Sequence, residues 1–534
     1  MTVARTVAEV LRDHVTLEVE GIDRMYLNVY VPMLQTEGGI AWFFRKHRGH
    51  SFASSALMAP MTRDFVDAME AFARTEEIPL ISFEKHARKD DVVEKYRQQF
   101  RGSEGVVVIG KAQEKASVFR TGRRVNAETG RSYAWLYRST AMVNQYYVYA
   151  IDEDFGPFFL KFCSYFPYNA KLCLNGHEYV KRQLARRGVR FEALDNGVLS
   201  CADPKLLQQL CDGLSAAKID ALLRKWLERL PHPFTAADRR AGFRYDVSIL
   251  QAEFSLTQVL DRPVTGRVFF EEVIRENLDI GRPDQVQLIF QRQIVRKGSR
   301  PTPGRFRTRV ITEGVYPSLH VDYKSTRIKQ YHKEGRALRT ETTINNARDF
   351  EIGKRLHNLP ALREVGFKAN RRLLDVQRIS HDCAIGEDAF HNMQRPRLVG
   401  DQRAAALRCE DPRVLALLHA IVLFRLLPNG FSNRDLRDRV APLRGTEISA
   451  GGMTYDLRRL RLHGLIRKVP RTRRYETTDE GLRLALFFTR AHDRFFRPGL
   501  AAVLPDQADG PLRASFRHLE AAMDAWCERA RMAA

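Results

Sequence analysis

The tightest constraint on the fold lies in residues 412–490, where apolar periodicity, caps and turns follow one another at short intervals. "PRVLALLHAIVLFRLL" reads as an apolar helix, and "PNGFSNRDLRDRVAPL" as a second helix capped by Ser432 or Asn433. After the turn "RGTEISAGG", the run "MTYDLRRLRLHGL" gives a third, amphipathic helix. "IRKVP", the basic tip "RTRR" and "YETTDEG" predict a β-hairpin, followed by a helix in "LRLALFFTRAHDRFF".

This order resembles the winged helix-turn-helix of bacterial DNA-binding proteins. The residues that carry the resemblance are Leu457, Leu460, Leu462, Gly464 and Leu465, the wing from Ile466 to Thr478, and Gly481. It implies a third helix facing the major groove and a hairpin beside phosphate. Between Asp456 and Tyr475 stand Arg458, Arg459, Arg461, Arg467, Lys468, Arg471, Arg473 and Arg474, eight cations against the single acid Asp456. These eight are the expected DNA-binding residues. Arg458 and Arg461 share one helical face, with Leu457 and Leu460 turned towards the core. The whole chain agrees in sign: 87 Lys and Arg against 64 Asp and Glu leave +23, the balance expected of a protein that meets a polyanion. Duplex DNA is therefore the expected partner, and a homodimer on a palindromic site the usual arrangement.

With 534 residues the chain exceeds a single core, which stops growing near roughly 250–300 residues. The expected fold class is α/β and α+β multidomain. Residues 1–130 alternate strand and helix signals ("MYLNVYV", "MTRDFVDAMEAFARTEEI", "PLISF", "VVEKYRQQF", "GVVVIG"), which predicts an N-terminal α/β layer. The turn-rich, basic stretch "FRTGRRVNAETGRSYAW" reads as a linker or exposed loop. A second α/β unit is expected over 131–235, a basic β-rich α+β domain over 236–400, the winged helix over 405–500, and a C-terminal amphipathic helix over 501–534.

In the third segment, "VQLIFQRQIVRK", "GRFRTRVITEG", "SLHVDYKSTRIKQYHKE" and "RALRTETTIN" are separated by Gly/Pro turns and predict an antiparallel meander. Arg305, Arg307 and Arg309 share one strand face, and Lys329, Tyr331, Lys333 and Arg339 interleave cations with an aromatic ring. That composition suits single-stranded nucleic acid or RNA lying on a sheet.

A second function class rests on carboxylates. "YYVYAID", "PFFLKFCSYF", "AKLCLN", "HEYVKRQLARRG" and "VRFEAL" give a β-β-β-α-β order that resembles the start of an RNase H-like transposase or integrase core, and "DNG" resembles its second-aspartate motif. The resemblance implies a metal-dependent nuclease or strand transferase of a mobile element or plasmid. Asp152 or Asp154 and Asp195 would hold Mg2+ or Mn2+, and Glu228 would be the third acid. The competing reading of "IDEDFGP" is an acidic β-turn, and that of "LDNGVL" an Asn-Gly hairpin.

Other classes find no support. No G-x-x-x-x-G-K-S/T loop and no Rossmann glycine pattern is present. The seven cysteines form no C-x-x-C pair, so neither a disulfide framework nor a zinc ribbon is expected. No apolar run reaches membrane-spanning length and the first residues carry no leader pattern, so a cytoplasmic protein is expected.

Overall fold

In the computed structural model, the described residues are 7–84, 87–262, 307–313, 316–333, 335–381 and 385–496, together with 514, 518 and 521. The chain divides into two compact units. The larger comprises Arg12–Phe270 and Val286–Arg371; the second comprises Met1–Leu11, Glu271–Gln285 and Arg372–Ala534.

The larger unit is built on strands β1 (Val15–Tyr30), β2 (Leu80–Ser82), β3 (Gly105–Val125), β4 (Ser132–Asp152), β5 (Gly156–Cys163), β6 (Ala170–Asn175), β7 (Phe191–Leu194), β8 (Gly197–Cys201), β9 (Asp246–Leu260), β10 (Arg307–Glu313), β11 (Tyr316–Tyr323), β12 (Thr326–Lys333) and β13 (Ala337–Ile344). Eleven of them form one mixed sheet in the order β10-β11-β12-β13-β9-β1-β6-β5-β4-β3-β2. Only β2 and β3 pair in parallel. Period-two alternation sends Met25, Leu27 and Val29 of β1 to one fully buried face. Helices cover that face. Phe65 of α1 (Ser55–Thr75) meets Phe162 with ring centroids 6.0 Å apart. Trp226 of α5 (Ala216–Arg229) meets Phe158 at 5.1 Å. The helices between them in the chain are α2 (Lys89–Gln99), α3 (Gly176–Arg186) and α4 (Pro204–Asp212).

Three departures from expectation follow from long-range pairing. Strands from the segments 1–130, 131–235 and 236–400 share one sheet, because β1 pairs with β6 on one side and β9 on the other. The basic stretch expected as a linker is the far end of the β3–β4 ribbon, whose register runs without a break from Val108 opposite Tyr149 to Val125 opposite Ser132. Finally, β4, β5, β6, α3 and β7 do occur in the β-β-β-α-β order, yet β7 pairs only with β8. "DNG" is the turn of that small hairpin, and its Gly197 has φ +139° with the Arg339 guanidinium 3.0 Å from where a Cβ would sit. The meander is present as β10–β13, consecutive and antiparallel. "VQLIFQRQIVRK" and nearly all of the expected closing helix lie outside the described residues.

Helix α6 (Leu359–His381) contributes to both units, changing membership at Arg371/Arg372. The second unit continues with β14 (Arg397–Val399), β15 (Gln402–Ala404), α7 (Pro412–Phe424), α8 (Asn433–Arg444), α9 (Ala450–Leu462), β16 (Ile466–Lys468), β17 (Tyr475–Thr477) and α10 (Asp479–Arg490). Each start has a local cause. Asp411 caps α7 ahead of Pro412, Ser432 and Asp435 close a capping box on α8, and Ser449 and Thr478 cap α9 and α10. Phe431 bridges to Tyr475, adding a third short segment beside the β16–β17 hairpin. Gly430 permits this approach, since a Cβ there would lie 2.3 Å from the Tyr475 carbonyl oxygen. Among the described residues no helix is long and apolar enough to cross a membrane.

Candidate nucleic-acid interface

The eight cations of the α9–hairpin segment separate into two groups. Helix α9 buries Met453, Leu457 and Leu460, as its apolar spacing demands, and also Asp456, Arg459 and Leu462. The second buried ridge exists because α9 packs against residues 397–406 as well as against α8. His463 Nε2 lies 3.0 Å from the Ala405 carbonyl oxygen, and Arg459 Nη2 donates to the Ala406 carbonyl at 2.5 Å. Asp456 sits at the centre of this ridge, 2.7 Å from Arg413 and 3.7 Å from Arg459. Burial pushes its carboxyl above the usual range even against the pull of Arg413. Arg474 is drawn inward too, donating to the Gly430 carbonyl at 3.1 Å. Arg459 and Arg474 are therefore fastened to their own chain, while Arg461 donates to Gln402 Oε1 at 3.2 Å from a side chain that stays exposed.

The other six face outward. Arg458, Arg461, Arg467, Lys468, Arg471 and Arg473 are exposed. Arg467 is 73% exposed and also reaches Glu476 at 3.1 Å, a carboxylate it shares with Arg372. The tip is shaped by Thr472, whose amide donates to the Val469 carbonyl at 3.2 Å, and by Arg471 at φ 58°. On α9 the outward ridge continues through Thr454 and Tyr455, the latter 49% exposed. These two were missed by counting charges, although their i, i+3 and i+4 spacing to Arg458 placed them on its face. Asn433 of α8 donates to Thr454 Oγ1 at 3.0 Å and so joins the two helices on this side.

The described side chains of the expected basic sheet, those of Lys329, Tyr331, Lys333 and Arg339, are engaged by their own chain. Arg339 is 0% exposed; its Nη2 lies 2.6 Å from Asp23, its Nε lies 2.6 Å from Glu341, and its Nη1 donates to the Asn196 carbonyl. His177 Nε2 lies 2.9 Å from both Arg339 and Ser255, and burial followed by the Arg339 charge depresses its pKa to about 3. The Tyr331 hydroxyl donates to Glu341 at 2.8 Å, and Lys329 lies 4.2 Å over the Tyr331 ring. Lys333 lies 3.8 Å from Asp195. Arg307 and Arg309 lie on β10 opposite Asp322 and His320, while Arg305 falls outside the described residues. Arg339 and Tyr331 thus belong to a buried polar junction that ties the β7–β8 hairpin to the sheet, rather than to an open face.

Of the carboxylates proposed for catalysis, Asp152 and Asp154 are engaged by their own chain. Asp152 Oδ1 accepts from the amides of Asp154 and Phe155 at 2.9 and 3.1 Å, which makes "DEDFG" an Asx-type turn. Its Oδ2 takes Trp226 Nε1 at 2.9 Å and Lys225 Nζ at 2.8 Å. Asp154 is paired with Arg186. The Asp195 side chain is 92% exposed, and Glu228 is exposed on α5. Among the described residues the one group of three side chains with metal-ligand spacing is His419, His492 and Asp493, so neither Asp152 nor Asp195 enters such a set.

Comparison with protein-family models, with curated proteins and with solved structures finds no match to this chain.

Proposed function

We propose that the second unit is a winged helix-turn-helix that binds duplex DNA, with α9 in the major groove and the β16–β17 hairpin on the neighbouring backbone. The observation that carries the reading is the sorting of cations. Arg458 and Arg461 project from the same exposed ridge as Thr454 and Tyr455, and Lys468, Arg471 and Arg473 crown the hairpin, while Arg459 of the other ridge and Arg474 of the hairpin segment are consumed inside. A 13-residue helix is about 20 Å long, which suits a groove about 12 Å wide. The order helix, bridging segment, helix, helix and hairpin supports the same reading. Arg458 and Arg461 reach base edges in this arrangement, and the hairpin cations neutralise phosphate.

The test is selection of bound sequences from a random duplex pool with the full chain, repeated with Arg458→Ala/Arg461→Ala. A preferred sequence that is lost in the double variant is the expected result. Indifference to sequence in both proteins removes the groove-reading helix, and equal preference in both removes these two arginines from it.

A further inference from the structure

The far end of the β3–β4 ribbon is a second feature that nothing above employs. Beyond Phe119 and Leu136, which are buried, and Thr121, which takes the Ser55 amide at 2.7 Å, two strands continue uncovered among the described residues: Arg123, Arg124, Val125, Asn126, Arg131, Ser132, Tyr133 and Ala134 are all exposed. A two-stranded ribbon has little stability of its own in water, yet this one keeps unbroken register to Val125 opposite Ser132. Its turn is closed by Asn126, whose Oδ1 accepts from the amides of Glu128 and Thr129 at 2.8 and 3.0 Å. The projecting end is therefore preformed rather than a slack loop.

Its chemistry is one-sided. Cross-strand register puts Arg120, Arg124, Tyr133, Trp135 and Tyr137 on one face. Arg124 stacks 3.5 Å from the centre of the Trp135 ring, and Trp135 and Tyr137 lie together over Gly122. Arg123 lies on the opposite face and Arg131 beside the turn. Arg138, by contrast, donates to the Gln35 carbonyl and is used by its own chain. From Arg120 to Tyr137 the ribbon has Arg120, Arg123, Arg124 and Arg131 against the single acid Glu128. Val125, 66% exposed, and Tyr133, 49% exposed, add apolar surface at the tip.

We propose that this ribbon is a second nucleic-acid contact, inserted in a groove of duplex DNA. The major groove admits a two-stranded β-ribbon. Exposure on both faces lets side chains reach both groove walls, which a strand on a sheet surface does not allow. Four outward arginines supply the countercharge, and the tip residues Val125 and Tyr133 suit contact with base edges and sugar. The proposal stands independently of the second unit, since every residue in it belongs to the larger one.

The experiment measures duplex affinity of the full chain against salt, for the wild type and for Arg120→Ala/Arg123→Ala/Arg131→Ala, each also combined with Arg458→Ala/Arg461→Ala. Removing three phosphate contacts lowers the log–log salt slope by about 2.7 and weakens binding more than about tenfold near 0.1 M salt. The same loss in the combined background keeps the ribbon whatever the second unit does. Replacement by Lys at the three positions restores the slope if charge is the cause. An unchanged slope in the Ala variant overturns the proposal. A slope that Lys fails to restore does so too, as does tighter binding to a single strand than to the duplex.

Discussion

The sorting of cations on the α9–hairpin segment leads to a prediction that separates surface charge from buried charge. Lys468→Ala/Arg471→Ala/Arg473→Ala removes the three tip cations, all exposed and none with a side-chain hydrogen bond or ion pair among the described residues. If each neutralises one phosphate, the salt slope of duplex binding falls by about 2.7. Over a fourfold rise in salt, from about 50 to about 200 mM, wild-type affinity then falls about 40-fold further than that of the variant. The difference is the quantity to read, because other contacts on the chain add equally to both proteins. Arg459→Ala is the matched control from the same eight cations. Its guanidinium serves the Ala406 carbonyl and Asp456, so its loss leaves a buried carboxylate with Arg413 alone. That change costs about 3 kcal/mol of stability, the low end for breaking a buried pair because Arg413 remains. The salt slope of whatever stays folded is unchanged. Fluorescence anisotropy of a labelled duplex gives the slopes and urea unfolding the stabilities. A slope change for Arg459→Ala as large as for the triple variant, or none for the triple variant, refutes the division into inner and outer cations.

The larger unit gives three further predictions. Arg339→Met strands Asp23 and Glu341 in the interior and destabilises by about 3–5 kcal/mol, read as a fall in the urea midpoint. Glu253 has its pKa raised from 4.5 to about 7, by burial first and the Asp23 charge second. A raised folded-state value means that the folded protein holds this proton longer than the unfolded chain. Stability from this group is therefore fully present below about pH 4.5, declines to about pH 7 and then levels; Glu253→Gln removes that decline, worth up to about 3 kcal/mol, in urea melts across pH. Asp152→Asn keeps the turn geometry but loses the Lys225 ion pair and weakens acceptance from Trp226, costing about 1–3 kcal/mol in the same assay.

What was legible in the sequence was local. The cap at Ser432, the Gly-punctuated hairpins and the inward set Leu457 and Leu460 all follow from neighbours within a turn or two, and they fall where spacing placed them, whereas the third helix begins at Ala450 behind Ser449, inside the stretch expected as a turn. The acidic stretch at 152–156 was legible as well, as a turn, because an Asp ahead of two backbone amides needs no distant partner. Illegible were the pairings across hundreds of residues. Nothing near β1 announces that its two neighbours are β6 and β9, so one sheet was divided into three segments.

Charge was the most misleading signal, for a physical reason. Arginine carries a long apolar stem and a head that takes several hydrogen bonds, so it is at home either on a phosphate or inside a fully paired junction. Arg458 and Arg459 are adjacent in sequence and identical in composition, yet one faces solvent and the other lies under residues 397–406. Arg339 shows the same ambiguity on a strand. Its alternation with Tyr331 and Lys333 looks like an open basic face, and only the carboxylates of Asp23 and Glu341, far away in sequence or hidden by parity, make it interior. The ribbon is the converse case. Its arginines fell in a stretch that composition assigned to a loop, and strand register alone turned them into an organised surface. A count of basic residues thus sets only the expectation of a polyanion, whereas the partner of each guanidinium decides which of those residues are free to meet one.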